Sequence, residues 1–147
     1  MTRRHLLFAY QLLLGASDTG TGVLLIAAPA LTLRLMRLHP AAAALPYLSY
    51  IGAFVFSVGV ACLYGAWLTT RPLFTAKLEV VWLLTAITRA SVAVFVFTRI
   101  FTGGLEPGWL TVALSDGAFA LLQLIGLTRG WLTQGWLSGE SPRDDPQ

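Results

Sequence analysis

Two apolar stretches decide the fold of this chain: AKLEVVWLLTAITRASVAVFVFTRIF at residues 76–101 and WLTVALSDGAFALLQLIGLTR at residues 109–129. Each is long enough to cross a bilayer as a helix, which needs about 20 apolar residues. Each also carries a charge near its middle, Arg89 in the first and Asp116 in the second. Because a charge at mid-membrane costs roughly 3 kcal/mol on insertion scales, we expect these two side chains either to pair with each other or to have a functional role.

The composition of the whole chain is typical of an integral membrane protein. Of its 147 residues, 56% are hydrophobic and 12% are charged, whereas soluble domains carry about 25% charged residues. The net charge of +3 is expected to reflect orientation and contact with anionic lipid. Nucleic acid is not an expected partner, because no Lys/Arg cluster is interleaved with aromatic residues.

Four spans are predicted within a single membrane domain that covers residues 1–147. They run over residues 5–28, 47–68, 76–101 and 109–129, and a polar tail is predicted at 138–147. Pro29 is expected to end the first span, because proline has no backbone N–H to donate. The short turn at 102–108 predicts that the last two spans form an antiparallel hairpin. The predicted fold class is therefore all-α, an antiparallel bundle of four transmembrane helices.

A short basic segment follows the first span. Residues 30–39 alternate leucines with Arg34 and Arg37, which would share one face of a helix. This pattern predicts a helix lying in the membrane interface, with a solvated connector as the alternative. Lys and Arg near the span ends are more numerous on the side of the N-terminus, which predicts that both ends are cytoplasmic. That side carries Arg3, Arg4, Arg71, Lys77, Arg129 and Arg143, and the other side carries Arg34, Arg37 and Arg99.

Few residues are available for redox or metal chemistry. Cys62 is the only cysteine, so neither an internal disulfide nor a paired thiolate site can form. His5 and His39 are the only histidines and fall at different membrane edges, which argues against a bis-histidine haem. We expect no metal, no cofactor and no catalytic residue.

Three charges are predicted at one depth. Asp18 lies thirteen residues after His5, Arg89 thirteen after Ala76, and Asp116 thirteen before Arg129. At about 1.5 Å per residue, each is roughly 20 Å from the cytoplasmic edge. We therefore expect Asp18, Arg89 and Asp116 to form an intramembrane cluster. Polar residues that could support it are Ser17, Thr19, Thr88, Ser91, Ser115, Gln11 and Gln123.

The cluster would carry a net charge of −1 if all three groups ionise. Either one carboxyl stays protonated, or a cation or a water-filled cavity compensates the surplus charge. The cluster could fix helix pairing, bind a lipid headgroup, a quinone carbonyl or another amphipathic molecule, or carry protons or ions. Enzyme chemistry is the least favoured of these roles, because no nucleophile and base accompany the carboxylates.

The chain resembles the DoxX-like group of small bacterial membrane proteins in its layout. The resemblance covers most of residues 6–127. It rests on the motif Leu-Leu-Ile-Ala-Ala-Pro at 24–29, the connector Leu-Arg-Leu-Met-Arg-Leu at 33–38, and a last span that carries an aspartate. It implies the bacterial inner membrane and a link to quinol-dependent respiratory complexes, and it transfers no site residue.

The sequence therefore supports two alternative functions. The first is a non-catalytic accessory or structural subunit of a larger bacterial membrane complex, for example in electron transfer. The alternative is a small-molecule binding or transport protein with a lipid-, quinone- or proton-binding pocket at the bilayer midplane. Expected partners are membrane lipids, other membrane subunits or a second copy of the chain, and a quinone.

Overall fold

The chain is built from helices throughout the part that the structure describes. A computed structural model describes residues 2–39, 41–72 and 74–133, and no strand occurs among them. The predicted all-α class is confirmed; the predicted polar tail at 138–147 lies outside the described residues. The helices are α1 (Arg3–Ala27), α2 (Pro29–Leu35), α3 (Leu45–Leu68), α4 (Thr75–Phe101) and α5 (Leu110–Thr128). Short 3₁₀ turns at Ala42–Ala44 and Pro107–Trp109 lead into α3 and α5.

Three of these helices are long and apolar enough to cross a membrane. With their 3₁₀ turns they cover Ala42–Leu68, Thr75–Phe101 and Pro107–Thr128. Only 33%, 33% and 22% of their most apolar segments are buried within the protein, so large apolar side chains such as Val60, Leu84 and Leu121 face outward. An apolar surface on this scale indicates a membrane protein. Helix α1 is not among the three, because Gln11, Asp18 and the Gly- and Thr-rich segment 15–22 lower its hydropathy.

Helices α1 and α3 pack antiparallel at very close range. A Cβ atom added at Gly22 would lie 2.5 Å from the backbone nitrogen of Phe56, and one added at Gly15 would lie 2.7 Å from that of Leu63. Gly59 on α3 likewise leaves no room beyond the backbone of Thr19. Gly22, late in α1, contacts Phe56, whereas Gly15, earlier in α1, contacts Leu63, which comes later in α3. The two helices therefore run in opposite directions. Small residues allow this approach of two backbones.

Helices α4 and α5 form the second antiparallel pair. Along α4 as far as its middle, Trp82 lies against Gly126, Thr85 bonds to Gln123, and Arg89 bonds to Asp116. Gly103, at φ +72, ends α4 because glycine adopts this left-handed conformation without strain. The predicted spans differ from the four long helices by at most two residues at either end.

The segment after α1 differs from its prediction in two respects. Pro29 does not simply end the first helix: α1 stops at Ala27, and Pro29 occupies the first turn of α2, where its missing N–H is harmless. Helix α2 then ends at Leu35, because Arg37 adopts φ +59 and the Leu38 N–H bonds back to the Leu33 carbonyl. Arg34 and Arg37 are both exposed, but they do not share a helix face as predicted.

Apolar clusters close the two ends of the protein. At one end, Leu7, Leu78 and Trp82 belong to a buried group that also includes residues after α3 and α5. There the Arg4 guanidinium links α1 to the turn after α3, because it donates hydrogen bonds to the carbonyls of Thr69 (2.6 Å) and Arg71 (3.2 Å). At the other end, a smaller group joins α2 to the start of α3. It consists of Leu33, Leu38 and Leu48, with Trp109 packed against it.

Candidate functional site

One guanidinium connects three helices at the centre of the protein. Arg89 on α4 donates through Nη1 to Oδ1 of Asp116 on α5 over 2.6 Å, and through Nη2 to Oδ2 of Asp18 on α1. The Arg89 side chain is 5% exposed, whereas each aspartate side chain is 18% exposed. We refer to these three residues as the charge cluster. A planar guanidinium suits this role because it offers donors on more than one edge.

Helix direction explains why the three charges meet. Helix α1 lies alongside α4, as the edge-to-face contact of Tyr10 with Trp82 (centroids 5.7 Å apart) and the ion pair of Asp18 with Arg89 both show. Both contacts advance by two helical turns along each chain, so α1 and α4 run parallel. Helix α5 runs the other way and returns Asp116 to the same level. The structure thus brings together the three charges that the sequence placed at one depth.

A cleft of about 980 Å³ begins at the charge cluster and lies between the two helix pairs. We call it the interhelical cleft. Its floor is formed by the cluster together with Tyr10 and Phe119, and its walls are mostly apolar. Most of its lining lies in the half of the protein toward α2 and the α4–α5 turn, and Tyr10, Leu13 and Leu14 extend it past Asp18 along α1. The wall residues include Val55, Val58, Val92, Phe95, Leu105 and Trp109.

The other half of the protein contains the buried cluster around Trp82, so the charge cluster lies near the transition from a packed half to a more open half. Among the wall residues, Phe54 and Phe95 are more than half exposed. The cleft therefore communicates with the outer surface of the helices. The apolar group that joins α2 to α3 lies over the far end of the cleft. Four of its residues also line the cleft, namely Leu33, Met36, Leu48 and Trp109.

The predicted hydroxyl support for the charge cluster is largely wrong. Thr88, Ser91 and Ser115 line the cleft, but their hydroxyls donate to carbonyls of their own helices, those of Leu84, Ile87 and Val112. Within a helix this local bond competes with longer-range partners. Ser17 also lines the cleft and is exposed. Thr19 instead packs against Gly59 on α3, away from the cluster.

Gln11 and Gln123 face inward as predicted, but they form a separate polar layer in the packed half. Both are fully buried, and the amide of Gln123 donates to the Thr85 hydroxyl over 3.0 Å. Gln11 contacts the backbone at Gly65 and has no hydrogen-bond partner among the described residues. Each glutamine is seven residues, or two helical turns, from an aspartate of the cluster. That spacing places them on the same helix faces as the aspartates.

Three residues of the site are absent from the prediction. Tyr10 and Phe119 pack edge to face, 6.3 Å between centroids, and the Phe119 ring lies 5.4 Å from the Arg89 guanidinium carbon. Thr85 bonds to Gln123 from a position one turn before Arg89. The sequence signal for Thr85 was its spacing of four from Arg89, and for Phe119 its spacing of three from Asp116.

No protein-family model, no curated protein and no solved structure matches this chain. In residues 2–39, 41–72 and 74–133, no three His, Cys, Asp or Glu side chains are grouped closely enough to hold a metal ion. The interhelical cleft has apolar walls and a few convergent polar groups, which is the usual composition of a small-molecule site. Its volume lies near the upper end of the range for such sites, about 300–1,000 Å³.

Proposed function

We propose that the protein is a non-catalytic membrane protein that binds an amphipathic small molecule in the interhelical cleft. The observation that carries this proposal is the placement of the charge cluster at the floor of a large apolar cleft. A cluster that served only to hold helices together would need no open volume beside it. The polar head of a ligand would lie at the cluster, and its apolar part would lie along the walls between α3 and α4.

We further propose that α1 spans the membrane, which gives an antiparallel bundle of four transmembrane helices in the bacterial inner membrane. Its 25 residues extend over roughly 37 Å, more than the hydrocarbon core. Its polar side chains point inward, with Asp18 toward Arg89 and Thr19 toward α3. Its outer face carries apolar side chains such as Leu12 and Leu24. The sequence supports cytoplasmic positions for both chain ends.

An accessory role in a larger assembly stays a prediction, as does the resemblance to the DoxX-like group. Exposed apolar side chains occur on all four long helices, a distribution for which contact with lipid alone accounts. The cleft favours the binding function over the subunit function because helices of this chain alone form its walls. A subunit would require an outer surface distinct from the lipid-facing surface.

The binding function is tested by what co-purifies with matched variants of α3. Val58 lines the interhelical cleft, whereas Val60, on the same helix, is exposed and does not line it. We expect Val58→Phe to narrow the cleft and to remove or deplete a small molecule that mass spectrometry detects in gently extracted wild-type protein and in Val60→Phe. Retention of the same molecule by both variants, or its absence from wild-type protein, would contradict the proposal. Thermal unfolding in detergent confirms that both variants are folded.

A further inference from the structure

The charge cluster presents its carboxylates to the interhelical cleft more than its guanidinium. The side chains of Asp18 and Asp116 are each 18% exposed, whereas that of Arg89 is 5% exposed. All three line the cleft, but the Nε atom of Arg89 is buried and has no hydrogen-bond partner among the described residues. A molecule entering the cleft therefore meets hydrogen-bond acceptors first.

Each aspartate has one oxygen left for such a molecule. Oδ1 of Asp116 and Oδ2 of Asp18 accept from Arg89. No other described residue donates a hydrogen bond to either carboxylate, so Oδ2 of Asp116 and Oδ1 of Asp18 lack protein donors. A carboxylate oxygen in an apolar setting is strongly stabilised by a charged donor. The ligand head that fits this arrangement is a hydrogen-bond donor.

The net charge of the cluster also favours a ligand head that donates hydrogen bonds, and in particular one that is positively charged. Two carboxylates and one guanidinium sum to −1, and Asp18, Arg89 and Asp116 are the only charged residues among the described lining of the cleft. A surplus charge in surroundings of low dielectric constant is costly unless an opposite charge lies close by. The rings of Tyr10 and Phe119 form the rest of the floor, and aromatic rings attract cations through their faces.

We propose that the interhelical cleft selects amphiphiles whose head is a protonated amine, which binds between the free oxygens of Asp18 and Asp116. This inference rests on the proposed binding function and names the ligand class. The ammonium group would donate to both carboxylates and cancel the surplus charge. An alkyl chain attached to it would lie along the apolar walls toward Phe95 and Trp109. An anionic head would meet the same two carboxylates and be repelled.

The test compares three amphiphiles with the same chain and different heads. Dodecylammonium, dodecanol and dodecyl sulfate are titrated into the purified full-length protein in phosphatidylcholine nanodiscs, and binding to empty nanodiscs is subtracted. We expect dodecylammonium to bind at least about ten-fold more tightly than dodecyl sulfate, the ratio that about 1.4 kcal/mol of net attraction gives. Dodecanol, a neutral donor, should lie between them.

Variants separate the charge effect from a general loss of structure. Asp116→Asn and Asp18→Asn each leave Arg89 with one carboxylate, so each makes the cluster neutral. We expect either variant to bind dodecylammonium less than about two-fold more tightly than dodecanol, because the net electrostatic attraction is lost. Glu79→Gln removes an exposed carboxylate near the start of α4 and should keep the full preference. The unfolding temperature identifies a variant that fails to fold, and the other variant then decides.

The outcomes distinguish the two proposals. If none of the three amphiphiles binds above the empty-nanodisc level, the binding function itself is contradicted. If all three bind equally, the cleft binds amphiphiles but does not select amines, and one carboxyl is protonated in place of a bound cation. Tightest binding of dodecyl sulfate would show that Arg89 recognises the head and would overturn the inference. Unchanged selectivity in both aspartate variants would overturn it as well.

Discussion

Arg89 and Asp116 join α4 to α5 through a 2.6 Å hydrogen bond between Nη1 and Oδ1. The same guanidinium also reaches Asp18 on α1, so a single side chain connects the two antiparallel helix pairs. Removal of Arg89 would leave two carboxylates with no partner in an apolar interior. Removal of either aspartate would leave a neutral pair. The cluster should therefore respond very differently to the loss of its different members.

We expect Arg89→Leu to destabilise the protein by roughly 3–5 kcal/mol, the usual cost of removing one partner of a buried ion pair. Protein carrying this change should be depleted from the membrane, as measured by quantitative immunoblotting and by thermal unfolding in detergent. Adding Asp18→Asn and Asp116→Asn to Arg89→Leu should restore much of the stability, since no unpaired charge remains. Arg99→Leu, an exposed arginine at the end of the same helix, is the control and should have little effect. Equal losses from Arg89→Leu and Arg99→Leu would contradict the central role of the cluster.

The sequence predicts the depth of the three charged residues in the membrane, but it does not predict the interhelical cleft beside them. Counting residues along three helices was enough to place Asp18, Arg89 and Asp116 at one level, because a helix advances by a constant distance per residue. The interhelical cleft depends on how far the two helix pairs separate beyond Arg89, which no single helix encodes. The hydroxyl of Ser115 was also misjudged, because within a helix a carbonyl of the preceding turn lies closer than any neighbouring helix.

The close contact of α1 with α3 should tolerate no added atoms at Gly22. A Cβ there would lie 2.5 Å from the Phe56 nitrogen, and backbone cannot move aside easily. We expect Gly22→Ala to cost about 1–3 kcal/mol through overpacking. Gly20, two residues earlier, has no atom within 4 Å of such a Cβ. Gly20→Ala should therefore be neutral or stabilise by about 0.5–1 kcal/mol, since alanine is the better helix former. Thermal unfolding of both variants in the same detergent measures the difference, and a Gly22→Ala protein as stable as Gly20→Ala would refute the contact.

The hydrogen bond between Gln123 and Thr85 should contribute modestly to the packed half of the protein. The Thr85 hydroxyl accepts from Gln123 and also donates to the Val81 carbonyl over 2.7 Å. Thr85→Val strands the buried amide of Gln123 and should cost about 1–3 kcal/mol. Gln123→Met leaves Thr85 with its own-helix bond and should cost less. A double-mutant cycle should give a coupling of about 0.6 kcal/mol, the average found for such bonds between membrane helices. Additive effects of the two changes would show that the bond contributes nothing.

The proposed passage of α1 through the membrane can be tested by labelling single cysteines, because Cys62 is the only native cysteine and is fully buried. In a Cys62→Ala background, cysteines are placed at four exposed positions that flank the long helices, namely Thr2, His39, Thr70 and Thr102. We expect a membrane-impermeant maleimide to label His39→Cys and Thr102→Cys in intact bacterial cells, and Thr2→Cys and Thr70→Cys only after the cells are opened. The lysine and arginine distribution predicts this orientation. Labelling of Thr2→Cys together with His39→Cys in intact cells would show that α1 does not span, because both of its ends would then lie on one side. The reverse pattern at all four positions would keep four spans and invert the predicted orientation.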